Sequence, residues 1–205
     1  MNDIEKIIES CMYKVGEQMK TFIDKTNAED DLQIFLRGHL YIEHEIEKLL
    51  RNELVNPNFI LTDRFMFANK VKLAVALGLI PKDMAKTYNK LNTIRNKYAH
   101  ELKFQIKENH LSDIISTFNE EIKANYVKWN NTYKDGTFLE LRFVLMAIWN
   151  YSSRMVYTRE LEKYNKEVNW INKLESLYGA SPELQEEKDR LLNEIIAKFH
   201  EISEH

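Results

Sequence analysis

An all-α fold is what this sequence predicts, and three observations lead there. Glycine (5) and proline (3) are scarce among 205 residues, and folds rich in strands or long loops need both for their turns. Apolar residues recur at three- and four-residue spacing in one segment after another, the period of an amphipathic helix. The breaks between these segments are short and built from capping residues, as in "TNAEDD", "GLIPKD" and "YGASPE".

Taken in order, the first helix is expected over 3–23, with Ile4, Ile7, Ile8, Cys11, Met12, Val15, Met19 and Phe22 on one stripe. A second, over 30–51, places Leu32, Phe35, Leu36, His39, Ile42, Glu43, Ile46, Leu49 and Leu50 together, and "NPN" (56–58) closes the region after it. Thr62 or Asp63 is suited to cap a third helix reaching about Gly78. Gly78 near a C-terminus and Pro81 near the next start make "GLIPKD" a tight link. The fourth helix carries Met84, Tyr88, Leu91, Ile94 and Tyr98, the cleanest periodicity in the chain. Segment 101–107 loses the period and reads as extended, and a fifth helix is expected over 110–129. "NNTYKDGT" (130–137) is the best internal boundary. Beyond it "FLELRFVLMAIWNYSSRMVYTRELEKYNKEV" reads as one long helix or a kinked pair. Ser181 as N-cap and Pro182 at the first helical position open the last helix, whose apolar residues are Leu184, Leu191, Leu192, Ile195, Ile196, Phe199 and Ile202. The result is one body of about seven helices: residues 1–130 as a bundle and 131–205 as a C-terminal helical extension packed on it.

Composition narrows the functional classes. A single cysteine, Cys11, excludes an internal disulfide, and its apolar stripe gives it the reading of a small buried hydrophobe. "MNDIEKIIES" has no basic region followed by an apolar run, so no signal peptide is expected. The most apolar windows, "VKLAVALGLI" and "FVLMAIW", fall far short of the roughly 20 residues of a membrane span. A cytoplasmic protein without a membrane partner is expected. The net charge of −3 offers no global field for nucleic acid. Locally the balance differs: Lys82 to Lys107 holds seven basic and two acidic residues, a net +5, while the rest of the chain carries −8.

The chemistry concentrates in "TIRNKYAHEL" (93–102), at the end of the fourth helix. Arginine stays charged and grips phosphate bidentately, and histidine exchanges protons near neutrality. Asn96 and His100, at i and i+4, share a face, whereas Arg95 and His100 point ~140° apart with ~7.5 Å of rise between them. The combination suits cleavage of RNA, whose own 2′-OH is the nucleophile, so no metal or cofactor is needed and a 2′,3′-cyclic phosphate is the expected product. One imidazole cannot serve both as base and as acid across the phosphorus, and a symmetric dimer supplies two.

"IRNKYAH" resembles the R-x4-6-H motif of the HEPN superfamily (higher eukaryote and prokaryote nucleotide-binding domains), including the polar residue directly after the arginine. "FANKVKLAVALGLIPKD" before it and "FLRGHLYIEHEIEKLL" further upstream resemble the branch of the mannitol-repressor-like proteins, so the likeness spans about residues 30–125. It implies a HEPN-like bundle over 1–130 and a homodimer joined through the motif-bearing helix. It also implies metal-independent endoribonuclease activity in a toxin or phage-defence effector, with an antitoxin or regulatory protein as partner. By position it assigns catalysis to Arg95, Asn96 and His100. Glu43 and Tyr98 are candidate supports, Glu43 by orienting Arg95 or His100 and Tyr98 by stacking on a base. Lys90, Lys97 and Lys103 are candidate RNA contacts. Family members without cleavage activity set the alternative, a non-catalytic regulatory or nucleotide- and RNA-binding module.

Each residue also has a plain structural reading. Arg95 and His100 can be surface groups, the histidine favoured by the helix dipole. His39 and Glu43 can be a buried polar pair, Tyr98 a packing residue, and the lysines a solvated face. The aromatic run Phe138, Phe143, Trp149, Tyr151 and Tyr157 reads as core. "HLYIEHEIE" lacks the spacing of a histidine metal site, so no metal is expected.

Overall fold

The computed structural model describes residues 3–28, 30–132 and 140–204, whose regular elements are all helices, without strands. The helices are α1 (Asp3–Lys25), α2 (Asp31–Glu53), α3 (Pro57–Ile60), α4 (Phe67–Ala76), α5 (Ala85–His100), α6 (Glu108–Ile115), α7 (Glu120–Thr132), α8 (Glu140–Tyr178) and α9 (Pro182–Glu204). The chain forms two compact units, one of residues 19–153 and one of 1–18 with 154–205, so α1 and α8 each contribute to both. The boundary read at 130/131 abuts residues 133–139, which lie outside the described residues, as do Phe138 and the side chain of Cys11.

Local chemistry explains most boundaries. Asp30 caps α2, accepting a hydrogen bond from the Leu32 amide at 3.0 Å. Gly78 ends α4 with φ +70°, and the Leu79 amide donates to Ala74 O at 2.8 Å, the bond of a Schellman turn. The Ser181 hydroxyl receives the Leu184 amide at 3.3 Å, with Pro182 opening α9 as read in the sequence.

Two elements differ from the sequence reading. The helix expected from Thr62 starts instead at Phe67: a turn bond from the Phe65 amide to Thr62 O closes the chain at 2.8 Å, and Met66 is extended (ψ 152°). The one-turn α3, begun by Pro57, precedes it. The single helix expected over 110–129 is two, α6 and α7. Ser116 and Thr117 turn their hydroxyls back onto Asp113 O and Ile114 O (2.8 and 2.6 Å), and Asn119 Oδ1 accepts the Ile122 amide at 2.9 Å. Those bonds compete with helix continuation and restart it. Of the two forms read beyond residue 137, α8 takes the first, one unbroken helix over 140–178.

In the larger unit, α2 packs against α4 and α5, and α5 against α6. Every residue from Leu141 to Ser153 is buried, so this part of α8 is enclosed on all sides. Trp149 stacks on Phe22 at 5.0 Å, and the Tyr88 hydroxyl shares a 2.9 Å hydrogen bond with Ser152. The buried face of α2 includes Ile34, Gly38 and Glu45, which the stripe missed, and leaves Leu36 exposed. In α1, Met12 is exposed rather than core. In the smaller unit, Leu191, Ile195 and Phe199 of α9 are buried, and Phe199 meets Tyr157 edge to face at 5.5 Å. The buried Glu160 carboxylate is held by Lys198 at 2.6 Å and Lys163 at 3.4 Å.

Candidate functional site

The last turns of α5 present the motif, and helix geometry divides it. Met84, Thr87, Tyr88, Leu91 and Ile94 fill the core face. Arg95 sits at the edge of that face and is half-buried, while Asn96 and His100 are exposed. Among the described residues Arg95 has no carboxylate within ion-pairing range, and its one hydrogen bond, to Asn96 Oδ1, is long at 3.5 Å. His100 is the final residue of the helix and makes no hydrogen bond or ion pair among the described residues. An unpaired guanidinium and an unpaired imidazole are thus both available to a ligand.

Arg95 lines a cavity of about 260 Å³ whose other walls come from α2, α4 and the segment 61–66. His100 does not line it. The α2 wall is the i, i+4 row His39, Glu43, Glu47 and Arg51. Lys70 of α4 bridges two of these carboxylates, at 2.8 Å to Glu43 and 2.7 Å to Glu47, and Arg51 grips Glu47 at 2.7 Å. Burial alone would lower the Lys70 pKa; its bonds to the two glutamates outweigh that and raise it. Glu47 shows the mirror balance, with the bonds to Lys70 and Arg51 overcoming burial and holding it below the usual carboxylate range. Lys70 and Arg51 are therefore consumed by ion pairs, and among the described residues Arg95 is the cation of this cavity without one.

His39 also lines the cavity. It is 3% exposed and lies 4.5 Å from the Phe67 ring. Its Nδ1 is 3.9 Å from Glu43 Oε2, too far for a hydrogen bond, and its Nε2 is buried without a hydrogen-bond partner among the described residues. The pairing expected of His39 and Glu43 is thus not a satisfied hydrogen bond. Burial lowers the imidazole pKa to about 4; Glu43 opposes this, and the charges of Arg95 and Lys70 reinforce it. Arg95 and His39 thus line one cavity and are electrostatically coupled.

Other sequence candidates fall in different surroundings. Glu43 is held by Lys70, with no hydrogen bond to Arg95 or His100 among the described residues. Tyr98 is packed between Phe35 (5.5 Å) and Phe104 (4.8 Å), as its place on the core stripe foretold. Lys90 is exposed and pairs with Asp113 at 3.2 Å. Lys97 lies 5.4 Å over the Phe104 ring, and Lys103 is exposed on the turn after α5. By helix rotation Lys86, Lys90, Lys97 and His100 fall within an arc of about 80°, on the side of α5 away from Arg95.

The sequence reading missed Arg51, Asp63, Lys70 and Asn92, all of which line the cavity. A signal was present: residues 39, 43, 47 and 51 form a polar row at strict four-residue spacing along α2. Asp63 and Lys70 join that row only through tertiary packing. Together the fold and site define an all-helical protein with a polar cavity beside an arginine–histidine helix end. Comparison with protein-family models, curated proteins and solved structures found no match. Among the described residues no helix is long and apolar enough to cross a membrane.

Proposed function

We propose that the protein is a metal-independent endoribonuclease of the HEPN type, working as a homodimer, and that it serves as a toxin or phage-defence effector. The observation that carries this reading is the state of the motif: among the described residues Arg95 and His100 make no ion pair, Arg95 has only a long hydrogen bond to the neighbouring Asn96, and both stand on one helix end flanked by lysines.

In the reaction the RNA 2′-oxygen attacks phosphorus while one His100 imidazole takes its proton. The P–O5′ bond breaks, and a second His100, from the other copy, gives a proton to the departing oxygen. The products are a 2′,3′-cyclic phosphate and a 5′-hydroxyl. Arg95 stabilises the charge that builds on the phosphoryl oxygens, and Asn96 orients the imidazole one helical turn away. Lys90, Lys97 and Lys103 hold the flanking phosphates.

The test is incubation with total RNA in EDTA. Cleavage survives chelation and leaves cyclic-phosphate ends, and His100→Ala and Arg95→Ala each lower it by at least about a hundredfold. Equal cleavage by both folded variants rules this site out. Expression of the wild type slows cell growth, and His100→Ala relieves it; an antitoxin or regulatory partner would do the same in its host.

One observation favours a second reading, a non-catalytic regulatory or nucleotide-binding module. Arg95 lines the cavity and His100 does not, an arrangement that serves binding without joint action on one phosphorus. That reading requires no RNA turnover and an altered association or ligand affinity in His100→Ala.

A further inference from the structure

In the smaller unit, α8 and α9 form a helical hairpin around the turn at Gly179, tied by Lys188 and Glu175 at 2.7 Å. Ile171 and Leu191 are buried, and with Leu174 and Leu184 they line an open groove of about 470 Å³ along one side of the hairpin. The apolar stripe of α8 continues past that groove. Trp170, Leu174, Leu177 and Tyr178 fall within about 100° of helix arc. Trp170 is 60% exposed, Leu177 64% and Tyr178 82%. Those three side chains leave roughly 400 Å² of apolar surface in water, the size of patch that is often functional.

Charge flanks this face unevenly. By helix rotation Lys166 and Lys173 lie on the side of Trp170 turned away from α9. Neither makes an ion pair among the described residues, and Lys173 stands 6.0 Å over the Trp170 ring. The side towards α9 carries Glu167, Glu187 and Glu194. Arg190 bonds Glu187 at 2.9 Å and Glu194 at 3.2 Å, and the charge of Glu167 also acts on it. One guanidinium among three carboxylates leaves that side negative.

We infer that this face of the α8–α9 hairpin is a symmetric interface whose occupant is the same face of a second copy of the chain. The uneven flanks select both the partner and its orientation. A two-fold axis running along the helices turns the face over and exchanges its sides. The basic edge of each copy then meets the acidic edge of the other, twice over. An axis across the helices would set like charges against like. With the axis along the helices each residue also keeps its level. Glu175 and Lys188 stand about level in the hairpin, so Lys173 falls between Glu187 and Glu194 of the second copy, about 4.5–6 Å of rise from each. Trp170 and Leu177 meet their own counterparts along the axis, and four helices close around one apolar core, as in a four-helix bundle. A standard interface buries roughly 800 Å² per partner; the apolar stripe supplies about half of that, and the charged flanks extend it.

The experiment follows the solution mass of the full-length protein by sedimentation over a wide range of concentration. The wild type self-associates, and Trp170→Glu combined with Leu177→Glu halves the mass of the associated species. Lys173→Glu and Glu187→Lys each weaken association about tenfold. An equimolar mixture of those two variants regains wild-type affinity, because each offers the charge that the other needs. Recovery in the mixture also shows that both are folded. RNA enters none of these measurements, so their outcome stands apart from the cleavage reading. A wild type that stays monomeric overturns the inference, leaving the face to some other occupant. A mass unchanged by the Trp170 and Leu177 substitutions places association elsewhere in the chain and overturns it as well, and so does a mixture no tighter than its components.

Discussion

At the scale of residues, burial governs two groups in opposite ways. His39 has a folded-state pKa of about 4 against 6.5 for a free imidazole, so the folded protein binds fewer protons than the unfolded chain between those values. Its contribution therefore falls as pH drops from 6.5 towards 4, by something on the order of 3 kcal/mol. Urea unfolding across that range should show the decline in the wild type and a shallower one in His39→Gln. A wild-type stability that is flat between pH 6.5 and 4.5 contradicts the burial argument. Glu45 illustrates the same force on an acid: burial raises its pKa, and Lys48, at 3.4 Å, only partly offsets it. The raised value means that stability is lost as pH rises from the unfolded pKa of Glu45 through its folded one. Glu45→Gln should accordingly be tolerated or stabilising at pH 7 and lose that advantage in acid, a comparison that two melting curves make.

At the scale of elements, α2 shows what a helix can hide from its own sequence. The glycine at position 38 looks like a weakness, since alanine there would add about 1 kcal/mol of helix propensity. A Cβ at that position would instead meet Leu145 Cδ1 at 2.8 Å and its Cβ at 3.2 Å. The δ-methyl can swing aside, but the Leu145 Cβ moves only with the α8 backbone. Gly38→Ala should therefore lower stability by about 1–2 kcal/mol, whereas Gly16→Ala, with nothing within 4 Å, should raise it. Thermal melts of the two variants should shift in opposite directions; a shared upward shift refutes the close approach of α2 and α8. Most elements were legible because the signals are local: periodicity, the capping residues of "TNAEDD", the Ser181 cap, and Gly78 at the end of α4. The 116–119 break escaped notice because Ser116, Thr117 and Asn119 stop a helix through side-chain bonds that leave the apolar period intact. Exposed Met12 and Leu36 were misplaced because a stripe shows that a face is apolar, not where its buried arc ends. The motif on α5 could be read, while the cavity could not, since Asp63, Lys70 and Asn92 meet the α2 row only after folding.

At the scale of the whole molecule, charge and assembly carry the functional account. The +5 of residues 82–107, set within an overall −3, places the lysines of α5 on the same arc as His100. On the proposed function, RNA affinity falls steeply with salt, and Lys90→Gln, Lys97→Gln and Lys103→Gln each reduce the log–log slope by about 0.7 to 1. Binding measured between low and physiological salt checks this, and unchanged slopes would leave those lysines as a solvated face. The central claim is that one scissile phosphorus needs His100 from two copies. It is tested most directly by adding a ninefold excess of His100→Ala subunits to a fixed amount of wild type, allowing exchange, and measuring RNA cleavage in EDTA. A composite site predicts that activity falls to about a tenth, as wild-type pairs are diluted out. Activity indifferent to the variant, or no cleavage by the wild type at all, contradicts it.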